Sequence, residues 1–277
     1  MTVSTRRAIL PSPHAAASIA PSAGDGMMAD KSFGWRVYGL GIIALALMCL
    51  IWGDFHGGQP VPKTFPARTA LAYAVAIFML VAGIALEWRK TALWAAAALA
   101  AYYGIIVVLV MNGRLVLRNL EIYGAYDSMA EQLAITAGAF ILWASLAKLD
   151  AATSARFIRI GQIAFGICAI FFGGAHFVYM NLTAPLIPTW LPPNQLFWGY
   201  ATGVFHIAGG LAIVMTIRAR LAAILLAVMY AIFTVFALVP GLVVRSSFFA
   251  WTEIATSVIL VGVAWIVADS LAARRAA

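Results

Sequence analysis

Charged side chains are scarce in this sequence, and their scarcity decides its class. Asp, Glu, Lys and Arg make up 10% of the 277 residues, whereas 64% of the residues are hydrophobic. The mean hydropathy is +0.96. A soluble domain needs far more polar surface than this composition supplies. The chain is therefore predicted to be an integral membrane protein of the all-α class, a polytopic helical bundle in a lipid bilayer.

Acidic residues are scarcer than basic ones, with 10 Asp and Glu against 18 Lys and Arg, which gives a net charge of +8. The basic residues stand singly or in pairs between apolar runs rather than on one basic face. This placement is typical of charges that orient membrane spans, and it excludes nucleic acid as the expected partner.

Cysteines and catalytic motifs are also few. Cys49 and Cys168 lie in apolar runs without CxxC or metal-ligand spacing, which indicates buried small residues. The sequence contains no P-loop, GxSxG or HExxH motif. We predict no metal and no haem.

The first 31 residues have little to bury. They are rich in Ala, Ser and Pro, and Pro11, Pro13 and Pro21 interrupt what would be the apolar region of a signal after Arg6-Arg7. Residues 1–31 are therefore predicted to be a disordered cytoplasmic tail rather than a cleaved signal.

Eight apolar runs are long enough to cross a bilayer, which needs about 20 residues of helix. They cover approximately residues 33–53, 69–87, 91–111, 129–147, 157–179, 195–217, 219–240 and 248–268. With eight spans, 13 of the 18 Lys and Arg fall on the side of the N-terminus. The charge rule then predicts that both termini are cytoplasmic and that the longer connections, with most of the Pro and Trp, face outward.

The two halves of the chain resemble each other. Asp54-Phe55 matches His176-Phe177, Pro66 matches Pro188 and Glu131 matches Glu253, each at a separation of 122 residues. Tyr102 is matched with Tyr230. Because four spans separate equivalent positions, the halves are predicted to be parallel repeats over residues 32–150 and 151–277.

The second half carries the segments GQIAFGICAIFFGGAHF and WGYATGVFHIAGGLAI, separated by a P-x-x-P-x-W-L-P-P turn. In these segments the chain resembles the DoxX and DoxX-like family of four-span bacterial membrane proteins, and its first half looks like a diverged second copy. The resemblance implies a multi-pass protein of the bacterial inner membrane. Some family members are similar to membrane subunits of quinone oxidoreductases, which implies an accessory redox role with a membrane or secreted partner protein.

Ionisable residues inside spans are costly and often mark a ligand or proton path. Asp54, His176, Glu131 and Glu253 are predicted at the outer boundary. His206 is predicted about 16 Å deeper, from 11 residues at about 1.5 Å each, near the middle of the bilayer. The two histidines are therefore expected to be separate.

His206 shares a helix face with Gly199, Gly203 and Gly210, which is typical of a close helix-packing seam. Three interpretations of His206 remain open: a packing residue, a group that binds quinone or relays a proton, and a haem ligand with His176. The last is disfavoured by the expected difference in depth. In family members an acidic residue often stands at this position, and the first half has Met79 there.

The second half is predicted to carry the site, with His176, Tyr200, Arg245 and Glu253 forming one cluster near its outer side. Asp54 and Glu131 are predicted to have a supporting role in the first half. The function predicted is an accessory or quinone-interacting membrane subunit, and the alternatives are a non-catalytic scaffold and a small-solute transporter. The reaction and the cofactor are not specified by the sequence.

Overall fold

The computed structural model describes residues 33–240 and 246–273 of the chain. These residues contain helices and no strands, and eight of the helices are long and apolar enough to cross a membrane. The prediction of an all-helical bundle with eight spans is confirmed for this part of the chain. The predicted tail at residues 1–31 and Arg245 lie outside the described residues. The spans are α1 Gly34–Trp52, α2 Arg68–Leu86, α3 Arg89–Arg118, α4 Tyr123–Leu146, α5 Ala151–Val178, α6 Gln195–Val214, α7 Ala219–Phe236 and α8 Phe248–Ala273.

The third span of each half changes from an α-helix to a π-helix along its length. In α3, an α-helix over Arg89–Ala101 is followed by a π-helix over Tyr102–Asn112 and a final turn at Gly113–Arg118. In α7, the α-helix ends at Phe233, and the π-helix that follows, Thr234–Leu238, continues two residues past the end of the span. Wider winding of this kind is uncommon and is often found beside functional sites.

Two spans begin earlier than their apolar runs predicted. Helix α5 begins at Ala151 because the Asp150 carboxylate accepts a hydrogen bond from the Thr153 N–H and caps the first turn. Helix α4 begins at Tyr123, so Asp127 belongs to a span rather than to a connection. The expected boundaries were too short because they required apolar residues, whereas a helix continues through any residues that keep its backbone bonds.

The two halves meet through matching helix pairs. Helix α1 packs on α8 and α5 packs on α4, while α4 and α8 pack on each other. Small residues allow the close approach: a Cβ at Gly262 would lie 2.4 Å from the Tyr38 backbone nitrogen. The α1–α8 and α5–α4 pairs correspond to each other in the predicted repeat. The repeat itself remains a prediction.

The surface of the bundle is apolar over most of its length. Large side chains on the outer faces are exposed, among them Ile77, Trp94, Leu109, Phe205 and Leu225. Exposed apolar faces of this extent indicate contact with the lipid bilayer. The chain is thus an integral, multi-pass membrane protein.

Candidate functional site: a histidine–tyrosine cluster

Helices α5 and α6 approach so closely that their histidines meet. A Cβ at Gly203 would lie 2.9 Å from the His176 Cβ, and a Cβ at Gly173 would lie 3.1 Å from the His206 Cβ. Each histidine therefore stands beside a glycine of the opposite helix. The centroids of the two imidazole rings are 5.4 Å apart.

The expected separation of the two histidines is wrong. Helix α6 begins beyond the end of α5, since a Cβ at Gly199 would lie 2.5 Å from the sulfur of Met180, which follows α5. His206 therefore lies at nearly the same depth as His176, although counting residues from the start of α6 had predicted that it lies much deeper. In addition, helical side chains lean toward the N-terminus of their own helix, so that those of antiparallel helices lean toward each other.

Tyr230 of α7 completes the group, and we call His176, His206 and Tyr230 the His–Tyr cluster. The His206 ring lies 5.4 Å from the Tyr230 ring, and Phe172 meets His206 edge-on at 6.1 Å. All three members of the cluster are buried, with side chains 6% to 9% exposed. The cluster thus joins three consecutive spans of the second half in a nearly closed apolar setting.

The hydrogen bonds of the cluster leave polar atoms free. His206 Nδ1 lies 2.9 Å from the backbone oxygen of Thr202, so in the neutral ring Nδ1 carries the proton and Nε2 is an acceptor. Within the described residues, His176 Nδ1 and the Tyr230 hydroxyl are buried without a partner. Buried polar atoms without partners are costly and point to a missing partner.

An apolar groove lies next to the cluster, between α6 and α7. It has a volume of about 550 Å³ and extends from Ile187 and Leu191 in the α5–α6 connection to Arg218 in the α6–α7 turn. Thr202 and Met229 line its middle. None of the three cluster residues lines the groove, but the backbone oxygen of Thr202 is bonded to His206 Nδ1 and Met229 precedes Tyr230 in α7. The groove follows α6 and α7 over nearly their whole length.

The equivalent position in the first half is filled by the protein itself. Met79 stands where His206 does, and its sulfur lies 3.7 Å from the Tyr103 hydroxyl and 3.6 Å from Gln59 Nε2. Met79 contacts Tyr103 and His206 contacts Tyr230, and the two pairs are 127 residues apart. In the predicted repeat, Tyr103 as well as its neighbour Tyr102 therefore corresponds to Tyr230. Gln59 comes from the α1–α2 connection and is 2% exposed.

Ion pairs of Asp54 hold the α1–α2 connection in place. The Asp54 carboxylate binds Lys63 at 2.9 Å and also binds Arg68. Burial raises the pKa of Asp54, but hydrogen bonds from Lys63 and Arg68 outweigh it and leave the pKa below its usual value. Burial lowers the pKa of His56 to about 4, so this imidazole is neutral near pH 7. Asp54 thus anchors a connection instead of matching His176 in chemistry.

Three carboxyl groups lie at the interface between α4 and α8. The carboxyl group of Glu131 interacts electrostatically with those of Glu253 and Asp127, and its Oε1 accepts a hydrogen bond of 2.6 Å from Gln132 Nε2. No Lys or Arg among the described residues forms an ion pair with any of the three. Glu131 and Glu253 therefore stand on the two helices of this interface and influence each other's charge.

The cluster predicted at the outer side of the second half is not formed by the described residues. His176 joins His206, whereas Glu253 lies with Glu131. Tyr200 is 46% exposed and packs on Phe177 at 5.7 Å. The three glycines do lie against α5 or the residues that follow it: Gly199 near Met180, Gly203 near His176 and Gly210 near Gly166.

Sequence reasoning missed several members of these groups. Asp127 was assigned to a connection, although it stands four residues before Glu131 and hence on the same helix face. Tyr230 was noted only as a repeat match. His56 was not singled out, because an isolated polar residue beside a span gives no local signal of what will bury it.

No family model matches the chain, and neither a curated protein nor a solved structure matches it significantly. Within residues 33–240 and 246–273, no group of three or more His, Cys, Asp or Glu is placed to hold a metal ion. Fold and site together define a multi-pass helical membrane protein with a buried imidazole–phenol cluster beside a lipid-facing groove.

Proposed function

We propose that the protein binds the head group of a quinol or quinone at the His–Tyr cluster and serves as a membrane subunit of a redox system. The observation that carries this proposal is the meeting of two imidazole rings and a phenol, with His176 Nδ1 and the Tyr230 hydroxyl buried and unpartnered. Such a group next to an apolar groove is suited to a lipophilic ligand with a few oxygen atoms.

The hydrogen-bonding capacity of the cluster fits the two oxygens of a quinol. His206 Nε2 is an acceptor while Nδ1 keeps its bond to the α6 backbone, and the unpartnered His176 Nδ1 is a second acceptor in the tautomer protonated at Nε2. The two nitrogens therefore accept the two O–H groups of a quinol. The Tyr230 hydroxyl both donates and accepts, and it therefore also serves a quinone carbonyl. A neutral imidazole between donors is also a good proton carrier.

The groove between α6 and α7 accommodates the isoprenoid tail. Its lining is almost wholly apolar, and it follows the two helices from the α5–α6 connection to the α6–α7 turn. Since the outer faces of α6 and α7 are exposed to lipid, a tail enters sideways from the bilayer. The head group then reaches the cluster between Thr202 and Met229.

The residues of the first half indicate that each chain has a single quinone site, in the second half. In the predicted repeat Met79 takes the place of His206, and the buried Gln59 lies against its sulfur, so the first half has no imidazole there. The second half is also the better match to the DoxX-like family, and membership of that family is part of the proposal. A location in the bacterial inner membrane and a membrane-bound or secreted redox partner follow from the same resemblance.

Quinone carried through purification tests the proposal. The protein is extracted from quinone-containing membranes in a mild detergent, and bound quinone is measured per chain by mass spectrometry. We expect bound quinone to fall about tenfold in His206→Ala, since tenfold corresponds to about 1.4 kcal/mol, the range of one or two hydrogen bonds. Tyr230→Phe, which removes only the hydroxyl, lowers it several-fold.

Tyr103→Phe is the matched control, because it removes the equivalent buried hydroxyl of the first half. We expect its quinone content to equal that of the wild type. A wild-type protein that neither carries quinone nor takes up added quinone contradicts the proposal. Equal losses in Tyr103→Phe and Tyr230→Phe contradict it as well, because they indicate a general loss of packing.

A further inference from the structure

We propose that Asp127, Glu131 and Glu253 form a proton-binding site at the interface between α4 and α8. The site is independent of the quinone proposal and uses different residues. Glu131 and Glu253 stand 122 residues apart at matching positions of the two halves, on helices that pack against each other. Their carboxyl groups interact with each other and with that of Asp127.

The three carboxyl groups and the Gln132 amide contain more hydrogen-bond acceptors than hydrogen-bond donors. Ionised carboxylates accept hydrogen bonds and cannot donate them. The described donor is Gln132 Nε2, which binds Glu131 Oε1 at 2.6 Å. Asp127 Oδ1 and Gln132 Oε1 are both buried without a partner, and the Gln132 side chain is 0% exposed.

Turning the Gln132 amide does not repair the shortage. The reversed amide would place its oxygen, rather than its N–H group, against the Glu131 carboxylate, and that pair repels. The missing component is therefore a positive charge or a hydrogen-bond donor. A proton supplies both, since it neutralises one carboxylate and creates an O–H that can donate to Gln132 Oε1.

The neighbouring side chains do not supply that charge. The charge of Asp127 influences Tyr123 of its own helix and Cys168 of α5, and that of Glu131 influences Tyr103 of α3, but none of these three groups is a cation. On the side of the α1–α2 connection, the position of a Cβ at Gly58 lies 2.0 Å from Gln132 Nε2 and 2.9 Å from His56 Cε1. The pKa of His56 is about 4, so this imidazole is neutral near pH 7.

A metal ion is not favoured by the same geometry. Among the described residues, these three carboxyl groups are not arranged to hold a metal. Carboxylates that repel one another without a direct ligand geometry relieve the repulsion by taking up a proton. The site therefore binds at least one proton at neutral pH, as a carboxylic acid that shares its O–H with the neighbouring acceptors.

Infrared spectroscopy tests the proposal on the full chain in lipid vesicles at neutral pH. A protonated carboxyl group has a C=O stretching band that is separate from the carboxylate bands and shifts when D₂O replaces H₂O. We expect this band in the wild type, and we expect Glu131→Gln or Glu253→Gln to remove most of it. Glu121→Gln is the control, because Glu121 is exposed, and it leaves the band unchanged.

The test does not depend on whether the variants fold, because the wild-type spectrum alone can contradict the proposal. Absence of the band in the wild type at neutral pH overturns it. A band that persists in both glutamine variants and in Asp127→Asn also overturns it. The spectra are recorded in sodium chloride and in choline chloride, and a band that appears only without sodium would show that sodium is the ligand instead.

Discussion

The imidazole rings of His176 and His206 lie 5.4 Å apart, with their planes inclined by 32°. This relationship exists because α5 and α6 touch through glycines on both sides. Gly173 faces the backbone oxygen of Gly203, and Gly210 faces that of Gly166. The site therefore depends on helix-packing residues that have no polar atoms in their side chains.

Gly210→Ala is expected to separate the two helices. The added Cβ would lie 2.4 Å from the Gly166 backbone oxygen, and a helix backbone cannot give way as a side chain can. We expect a loss of stability of about 1–3 kcal/mol, as for other overpacked sites. The measurement is thermal unfolding of the purified protein in a mild detergent.

Two other glycines provide controls for this variant. At Gly209 the added Cβ meets the Leu226 side chain at 3.0 Å, so Gly209→Ala is expected to cost less. At Gly57 nothing lies within 4 Å, and Gly57→Ala is expected to stay within about 0.5 kcal/mol of the wild type. A Gly210→Ala protein as stable as Gly57→Ala would show that the α5–α6 contact is not tight.

The ion pairs of Asp54 are expected to differ in strength. Arg68 has a side chain 14% exposed and also donates from Nε to the Val61 backbone oxygen, whereas the Lys63 side chain is 81% exposed. We expect Arg68→Gln to lower stability by about 2 kcal/mol, the range for a hydrogen bond to a charged group. Lys63→Gln should cost less than about 1 kcal/mol.

The same two variants distinguish a local ion pair that anchors the α1–α2 connection from a long-range effect of charge. Each removes one positive charge near Asp54, so a purely long-range effect would make them equal, and high salt would then abolish both. We expect Arg68→Gln to keep its effect in high salt, because a partly buried pair is screened less. Proteolysis within the α1–α2 connection should also be faster in Arg68→Gln than in Lys63→Gln.

The sequence predicts the spans because their signal is local. An apolar run of about 20 residues identifies a helix such as α2 wherever the helix later packs. The starts of α4 and α5 were missed for the same reason, since Asp127 and Asp150 are polar and the signal requires apolar residues. Here the deciding forces are backbone hydrogen bonds and the Asp150 cap, which act outside the membrane core as well.

The site is less predictable because its members come from separate helices. His176 and His206 were recognised individually, yet their contact depends on how far α6 rises past α5. Glu131 was assigned a supporting role in the first half and Glu253 to a cluster in the second, but their shared interface needs the packing of α4 on α8. The burial of His56 by a connection between spans leaves no periodic pattern in the sequence.

His56 should make stability depend on pH. Burial lowers its pKa from 6.5 to about 4, so the unfolded chain takes up a proton at a higher pH than the folded chain. Its contribution is constant above pH 6.5, and stability is lost as the pH falls from about 6.5 toward 4. At about 1.4 kcal/mol per pKa unit, the full loss is roughly 3 kcal/mol.

His56→Asn isolates this effect. The His56 Nδ1 accepts a hydrogen bond from the Gly58 N–H at 3.2 Å, and an Asn oxygen can accept the same bond without titrating. Unfolding temperatures measured from pH 7 to pH 4 should therefore fall less steeply in His56→Asn. An identical pH profile in the two proteins would assign the acid sensitivity to other groups.

Arg159 is expected to hold the far end of α6. Its guanidinium donates to the backbone oxygens of Ile213 and Val214, at 3.0 and 2.5 Å, in the last turn of the helix, where Ile213 also accepts a hydrogen bond from the Thr216 N–H. Within a membrane a carbonyl group finds no water, so removing the donor leaves the Val214 oxygen unsatisfied. Arg159→Gln should lower stability by about 2 kcal/mol and speed hydrogen exchange in the last turn of α6.

Arg156→Gln removes the same charge from an exposed position one turn earlier on α5, and it should change neither quantity. Equal effects of the two variants would mean that the charge of α5, rather than the two carbonyl bonds, stabilises this end of the bundle.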